Sequence, residues 1–133
     1  MIGFVHSLFS LVLAIVFNLN PAVAVVASLL PDVDIILPIQ HREIFHSVLF
    51  MVLVSLLFRF RFGKKHASAF AVGFSSHLFL DIFSKAGVKL FWPVDYSFSL
   101  PLMSSNTANL SVLVICLVFL LNMQTKSFIF RED

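Results

Sequence analysis

Long apolar runs separated by short polar stretches organise this chain. The first run covers residues 2–17, close to the ~20 residues a helix needs to cross a bilayer. Asn18, Asn20 and Pro21 form a turn signal, and Pro21 suits the first position of a following helix. The second run, residues 22–30, is rich in Ala and Val and stops at Pro31. It is too short to span alone, so it must tilt, sink among neighbours or open into a hydrated cavity. Residues 31–40 read as irregular backbone, because Pro38 breaks any helix through the middle. A third run covers 43–60 and ends in a basic cluster at Arg59, Arg61, Lys64 and Lys65, read as a loop that also holds a solvated His66. A fourth covers 67–84, with Gly73, Ser75 and Ser76 permitting close helix approach. The connection over 85–106 carries Trp92 and Tyr96, residues that favour a membrane–water interface. A fifth run covers 107–122, followed by a short mixed tail. The pattern predicts an all-α integral membrane bundle of about five helical segments, with an irregular loop between segments two and three, built as a single domain over residues 1–133.

Composition strengthens the membrane reading. The chain is 59% hydrophobic and 12% charged, with 17 Phe and a mean hydropathy of +1.01. A soluble domain carries about 25% charged residues. The net charge is +2 and the basic residues form no stripe, which argues against nucleic acid as a partner. Cys116 is the only cysteine, which excludes a disulfide framework and a Cys-based zinc motif. Residues 2–17 lack a basic leader, so they read as a retained helix. The basic cluster at 59–65 orients the bundle with that end in the cytoplasm, and Lys126 and Arg131 agree. Lys85 and Lys89 count against this orientation.

Against this apolar background the ionisable groups stand out, since such groups are costly there unless paired, hydrated or bound to metal. His77 and Asp81 are four apart on a predicted helix and share a face. Asp32 and Asp34 offer oxygens from the loop, and His41 and His46 flank the start of segment three. His with carboxylate suits zinc, with manganese or iron as alternatives, rather than a calcium cage. Such a metal lowers the pKa of a coordinated water and makes a nucleophile near neutral pH. Glu43 is the candidate general base, sharing a helical turn with His46, and Arg42, directed elsewhere, is the candidate for an anionic substrate group. Plainer roles stand beside these. His6 alone also fits a hydrogen-bonded core histidine, Asp32 or Asp34 a turn cap, Arg42 and Glu43 an ion pair, and Asp81 with Lys85 a helix-end pair.

The ordered set Leu30-Pro31-Asp32-Val33-Asp34, His41-Arg42 with His46-Ser47, Ser76-His77-Leu78 with Asp81, and Phe91-Trp92-Pro93 resembles the family of small inner-membrane proteins typified by YdjM, described as membrane-bound metal-dependent hydrolases. The resemblance runs from about His6 to Pro101 and implies a ligand set of His6, Asp32, Asp34, His41, His46, His77 and Asp81. The chain is short and has little beyond the five segments, so any further helices or appended domain of such relatives are missing. The expectation is a multi-pass inner-membrane hydrolase that cleaves an ester or phosphoester of a lipid or lipid-like partner near the outer face. The alternative is a non-catalytic protein that binds or moves a metal ion or protons. Oligomeric state is left open by the sequence.

Overall fold

A computed structural model describes residues 3–36, 42–100 and 104–129, with side chains described up to 123 in the last segment and not at 105. Five α-helices form among these residues: α1 (Gly3–Val16), α2 (Pro21–Leu29), α3 (Val48–Phe62), α4 (Lys64–Ile82) and α5 (Ser105–Ile129). The all-α expectation holds, and among the described residues the only β pairing is an isolated antiparallel bridge between Val88 and Phe98.

Local chemistry explains the helix ends. Asn20 accepts a hydrogen bond from the Val23 N–H at 3.2 Å, and Pro21 follows as the first helical residue. Ser47 caps α3 by accepting from the Phe50 N–H at 3.1 Å. Two expectations are corrected. The segment after α2 is a 3-10 helix over Leu30–Ile36 rather than irregular backbone; Pro31 lacks an N–H but its fixed φ is compatible with a tight helical turn. Residues 37–40 of the expected loop lie outside the described residues. The basic stretch is not a loop either. α3 runs to Phe62, Gly63 turns the chain at φ 83, and α4 begins at Lys64. His66 is therefore helical, with its Nδ1 3.0 Å from the Phe62 carbonyl oxygen.

α4 is the central element and packs against α1, α2 and α3. Gly73 sets its closest approach: a Cβ there would fall 2.1 Å from the Ala24 carbonyl oxygen on α2. That backbone-to-backbone contact requires the missing side chain. The apolar core consists of Phe70, Phe74 and Leu78 of α4 with Ala27 and Val88. α5 packs on α1, and most of its apolar residues face outward. Among the described residues, α5 alone contains a segment long and apolar enough to cross a membrane, Asn106–Met123, while α1 is apolar but shorter.

Candidate metal centre

The site forms where α2 ends and α4 approaches its last turn. His77 and Asp81 lie one turn apart on α4, with His77 Nε2 3.4 Å from Asp81 Oδ2. α1 brings His6 over them: its ring stacks on His77 with centroids 4.0 Å apart, and its Nε2 is 3.6 Å from Asp81 Oδ1. The 3-10 segment after α2 contributes Asp32, whose Oδ1 is 3.6 Å from His77 Nε2 and 3.8 Å from His46 Nε2. A second short 3-10 turn, Ile44–His46, places His46 Nε2 3.5 Å from Asp81 Oδ2 and Nδ1 3.3 Å from Asp34 Oδ2. His6, Asp34, His46, His77 and Asp81 are buried, whereas the Asp32 side chain is 28% exposed.

One tautomer is fixed by the backbone. His77 Nδ1 lies 2.6 Å from the Ser28 carbonyl, which can only accept, so Nδ1 carries the proton. In the neutral ring Nε2 then presents a lone pair towards two carboxylates, and it has no hydrogen-bond partner among the described residues. The Ser28 carbonyl belongs to the last turn of α2, where intrahelical donors run out. Pro31, three residues on, has no N–H to offer it.

A buried lone pair facing carboxylate oxygens is repulsive unless a positive charge, a metal ion or a second ring proton, lies between them. The separations fit a metal ion. At 3.4–3.6 Å the His77 contacts are too long for hydrogen bonds. They match the ~3.3–3.6 Å edge of a tetrahedron of N and O ligands around zinc, given bond lengths of ~2.0–2.2 Å. Two overlapping groups, His6 with His77 and Asp81, and Asp32 with His46 and His77, each bring one ligand atom per residue within 4.8 Å of the others. His6 Nδ1 is a further buried nitrogen without a hydrogen-bond partner among the described residues. In the segments between helices, burial pushes His46 down, but the negative charge of Asp32, Asp81 and Asp34 around it outweighs burial and leaves His46 raised. Burial likewise pushes Asp32 up, yet the neighbouring His46, His77 and His6 leave it below the usual carboxylate range.

The structure thus brings together His6, Asp32, Asp34, His46, His77 and Asp81 of the residues singled out from sequence. His41 lies outside the described residues. Arg42 differs from expectation. It points into the site, with Nη2 3.6 Å from Asp81 Oδ2 and its backbone N–H donating to Asp34 Oδ2 at 3.0 Å. Its Nη1 donates to Ser84 Oγ at 2.6 Å and to the Gly87 carbonyl at 2.9 Å. Its φ of 68 is a left-handed value, uncommon for a non-glycine residue. Glu43 does not share a helical face with His46, because it precedes the 3-10 turn with non-helical φ −101 and ψ −112. Its Oε1 pairs with Lys89 Nζ at 2.9 Å, and Lys89 also reaches Asp95 at 2.8 Å. Those two carboxylates, Asp95 first, push the Lys89 pKa up to about 12. Sequence reasoning missed the Ser28 carbonyl, Ser84 and Lys89. The first is a backbone group with no side-chain signal, and Lys89 lies 46 residues from its partner.

Comparison with curated proteins and with solved structures returned no match. The family comparison did: the model of the YdjM inner membrane protein family matches residues 1–131, and the chain belongs to that family.

Proposed function

We propose that this chain is a multi-pass membrane protein whose buried His/Asp cluster holds a divalent cation, zinc first with manganese or iron as alternatives, and hydrolyses an ester or phosphoester of a lipid. The observation that carries the metal is His77: its proton is held on Nδ1 by the Ser28 carbonyl, and Nε2 faces Asp32 and Asp81. Metal-binding histidines characteristically donate their other ring N–H to a carbonyl or carboxylate. A cation bound there supplies Lewis-acid polarisation and acidifies water near neutral pH.

The membrane reading rests on the family and on outward apolar surface. α3 contributes no buried residue, yet it presents Leu53, Leu57 and Phe60 outward, as α5 presents Leu110, Ile115 and Leu121. Such surface suits lipid rather than water. Lys64 and Lys65 begin α4, whereas Asp81 lies near its end, ~24 Å away at 1.5 Å per residue. With the basic end in the cytoplasm, the cluster lies towards the outer face. Lys89, which opposes that orientation, is charge-compensated by Glu43 and Asp95.

Each residue has a role in this reading. His6, Asp32, Asp34, His41, His46, His77 and Asp81 are the proposed ligand set. Arg42 braces Asp81 and Asp34, ties them to the 84–87 turn, and places positive charge beside an anionic substrate group. Glu43 is the proposed proton acceptor at the rim; Lys89 holds Oε1, leaving Oε2 for the transfer. The near-complete burial of His6, His46, His77 and Asp81 favours one second reading, a protein that binds or moves the ion without catalysis.

The test is hydrolysis of phospholipids, isoprenyl phosphates and acyl esters by the zinc-loaded protein in liposomes. The expected outcome is turnover by wild type, none by His77→Ala, and retained zinc with most turnover lost in Glu43→Gln. Inactive wild type that carries zinc into the liposomes establishes the second reading instead. Loss of zinc by Glu43→Gln makes Glu43 a ligand rather than a base.

A further inference from the structure

α2 and α3 both pack on α4 but scarcely touch each other, and a groove opens between them. Val23, Val26 and Leu30 form one wall, Val54 and Phe58 the other, and Phe70 of α4 the floor. Every lining side chain is apolar, and the cavity measures about 420 Å³. One end stops at Leu30, two residues before Asp32 of the metal centre. The other reaches Ala22, ~12 Å away along α2.

We infer that this groove is the subsite for one acyl chain of an anionic membrane phospholipid, whose head group lies at the metal centre. The inference rests on the lipid-hydrolase reading above and deepens it by naming where the substrate chain lies. Two observations select this occupant. The volume falls within the ~300–1,000 Å³ of small-ligand clefts. The groove has only apolar side chains in its lining, and its last lining residue at that end, Leu30, is two residues before Asp32. From Asp32 the contacts pass through His77 and Asp81 to the Arg42 guanidinium. An apolar slot whose end is two residues from a cluster that holds Arg42 and, in the reading above, a divalent cation matches a tail joined to an anionic head.

Fluorescence quenching tests this directly. Trp92 is the only tryptophan, so Trp92→Phe gives a silent background. Phe58→Trp then reports from the groove, and Leu117→Trp reports from the exposed face of α5. Both are reconstituted with zinc in phosphatidylcholine vesicles. Each is titrated with phosphatidic acid brominated on its acyl chain, and separately with equally brominated phosphatidylcholine. The expected result is saturable quenching at position 58 by the brominated phosphatidic acid alone, with equal and unsaturable quenching by both lipids at position 117. Val23→Phe, which fills the groove, should abolish the saturable component, and Val26→Phe at the more exposed rim should do the same if Val23→Phe fails to fold. Equal, unsaturable quenching at both positions overturns the proposal, as does saturable quenching that survives both filling variants. Zinc bound by the protein without saturable quenching removes the groove alone. Saturable quenching in a protein that binds no metal removes the hydrolase reading and leaves the groove.

Discussion

His77 carries more of the site than any other side chain, because its two nitrogens do different work. One is bonded to a helix-end carbonyl, and the other faces two carboxylates. Removing it, or Asp81 beside it, takes a proposed ligand from the buried cluster. His77→Ala and Asp81→Ala are therefore each expected to lose most bound zinc on metal analysis of the detergent-purified protein. His66→Ala should keep its zinc, since His66 lies at the opposite end of α4 against the Phe62 carbonyl. Equal zinc in all three variants would reduce His77 and Asp81 to a structural pair. That pair was legible in the sequence, because spacing of four on a helix puts two side chains on one face without reference to anything else. Glu43 was not. Its orientation follows from a backbone conformation outside the helical region and from a lysine far along the chain, and neither leaves a local signature. Arg42 was legible as a neighbour of the cluster but not in direction; its backbone is left-handed and its side chain lies against Asp81.

Among the elements, the pairing of α2 with α4 governs how well the site is held. Ser28 and the following Asp32 enter the cluster only if α2 lies close against α4, and Gly73 permits that. A methyl group at Gly73 would meet the Ala24 backbone oxygen, and neither helix backbone can yield locally. Gly73→Ala is expected to cost about 1–3 kcal/mol, the range for overpacking a tight contact, read as a lower midpoint of thermal unfolding in detergent. It should also weaken zinc binding by moving the Ser28 carbonyl from His77. An unchanged midpoint would show that the helices can separate freely. The five helices were visible as apolar runs, and small residues at 73–76 announced close packing. The start of α4 was misplaced because charged residues suggest loops, yet lysine is a good helix former and Gly63 alone makes the turn. The 3-10 helix after α2 escaped notice because a proline ends an α-helix but tolerates a tighter first turn.

On the scale of the whole molecule, charge is divided between two ends. The basic residues of the α3–α4 junction occupy one, and the acidic cluster the other. Cysteine labelling checks the orientation proposed from that division. In a Cys116→Ala background, Lys64→Cys is expected to resist a membrane-impermeant thiol reagent added to intact cells and to react once the membrane is opened. Labelling from outside would invert the bundle and put the metal centre on the cytoplasmic side. The separation itself would stand, because it follows from the length of α4.

The hydrogen bond from His77 to the Ser28 carbonyl gives the site an unusual genetic profile. The group that sets the protonation of His77 is a peptide oxygen, present whatever residue occupies position 28. An alanine scan therefore passes over it: Ser28→Ala deletes a hydroxyl bonded to the Val25 carbonyl but leaves the functional atom in place. What places that atom against His77 is the course of the backbone at the end of α2, not the side chain at position 28. In heritable terms, the tautomer is encoded in the helix end rather than in the residue at that position. Variation at position 28 can be silent for the proposed chemistry, while a change that redirects the end of α2 can alter it.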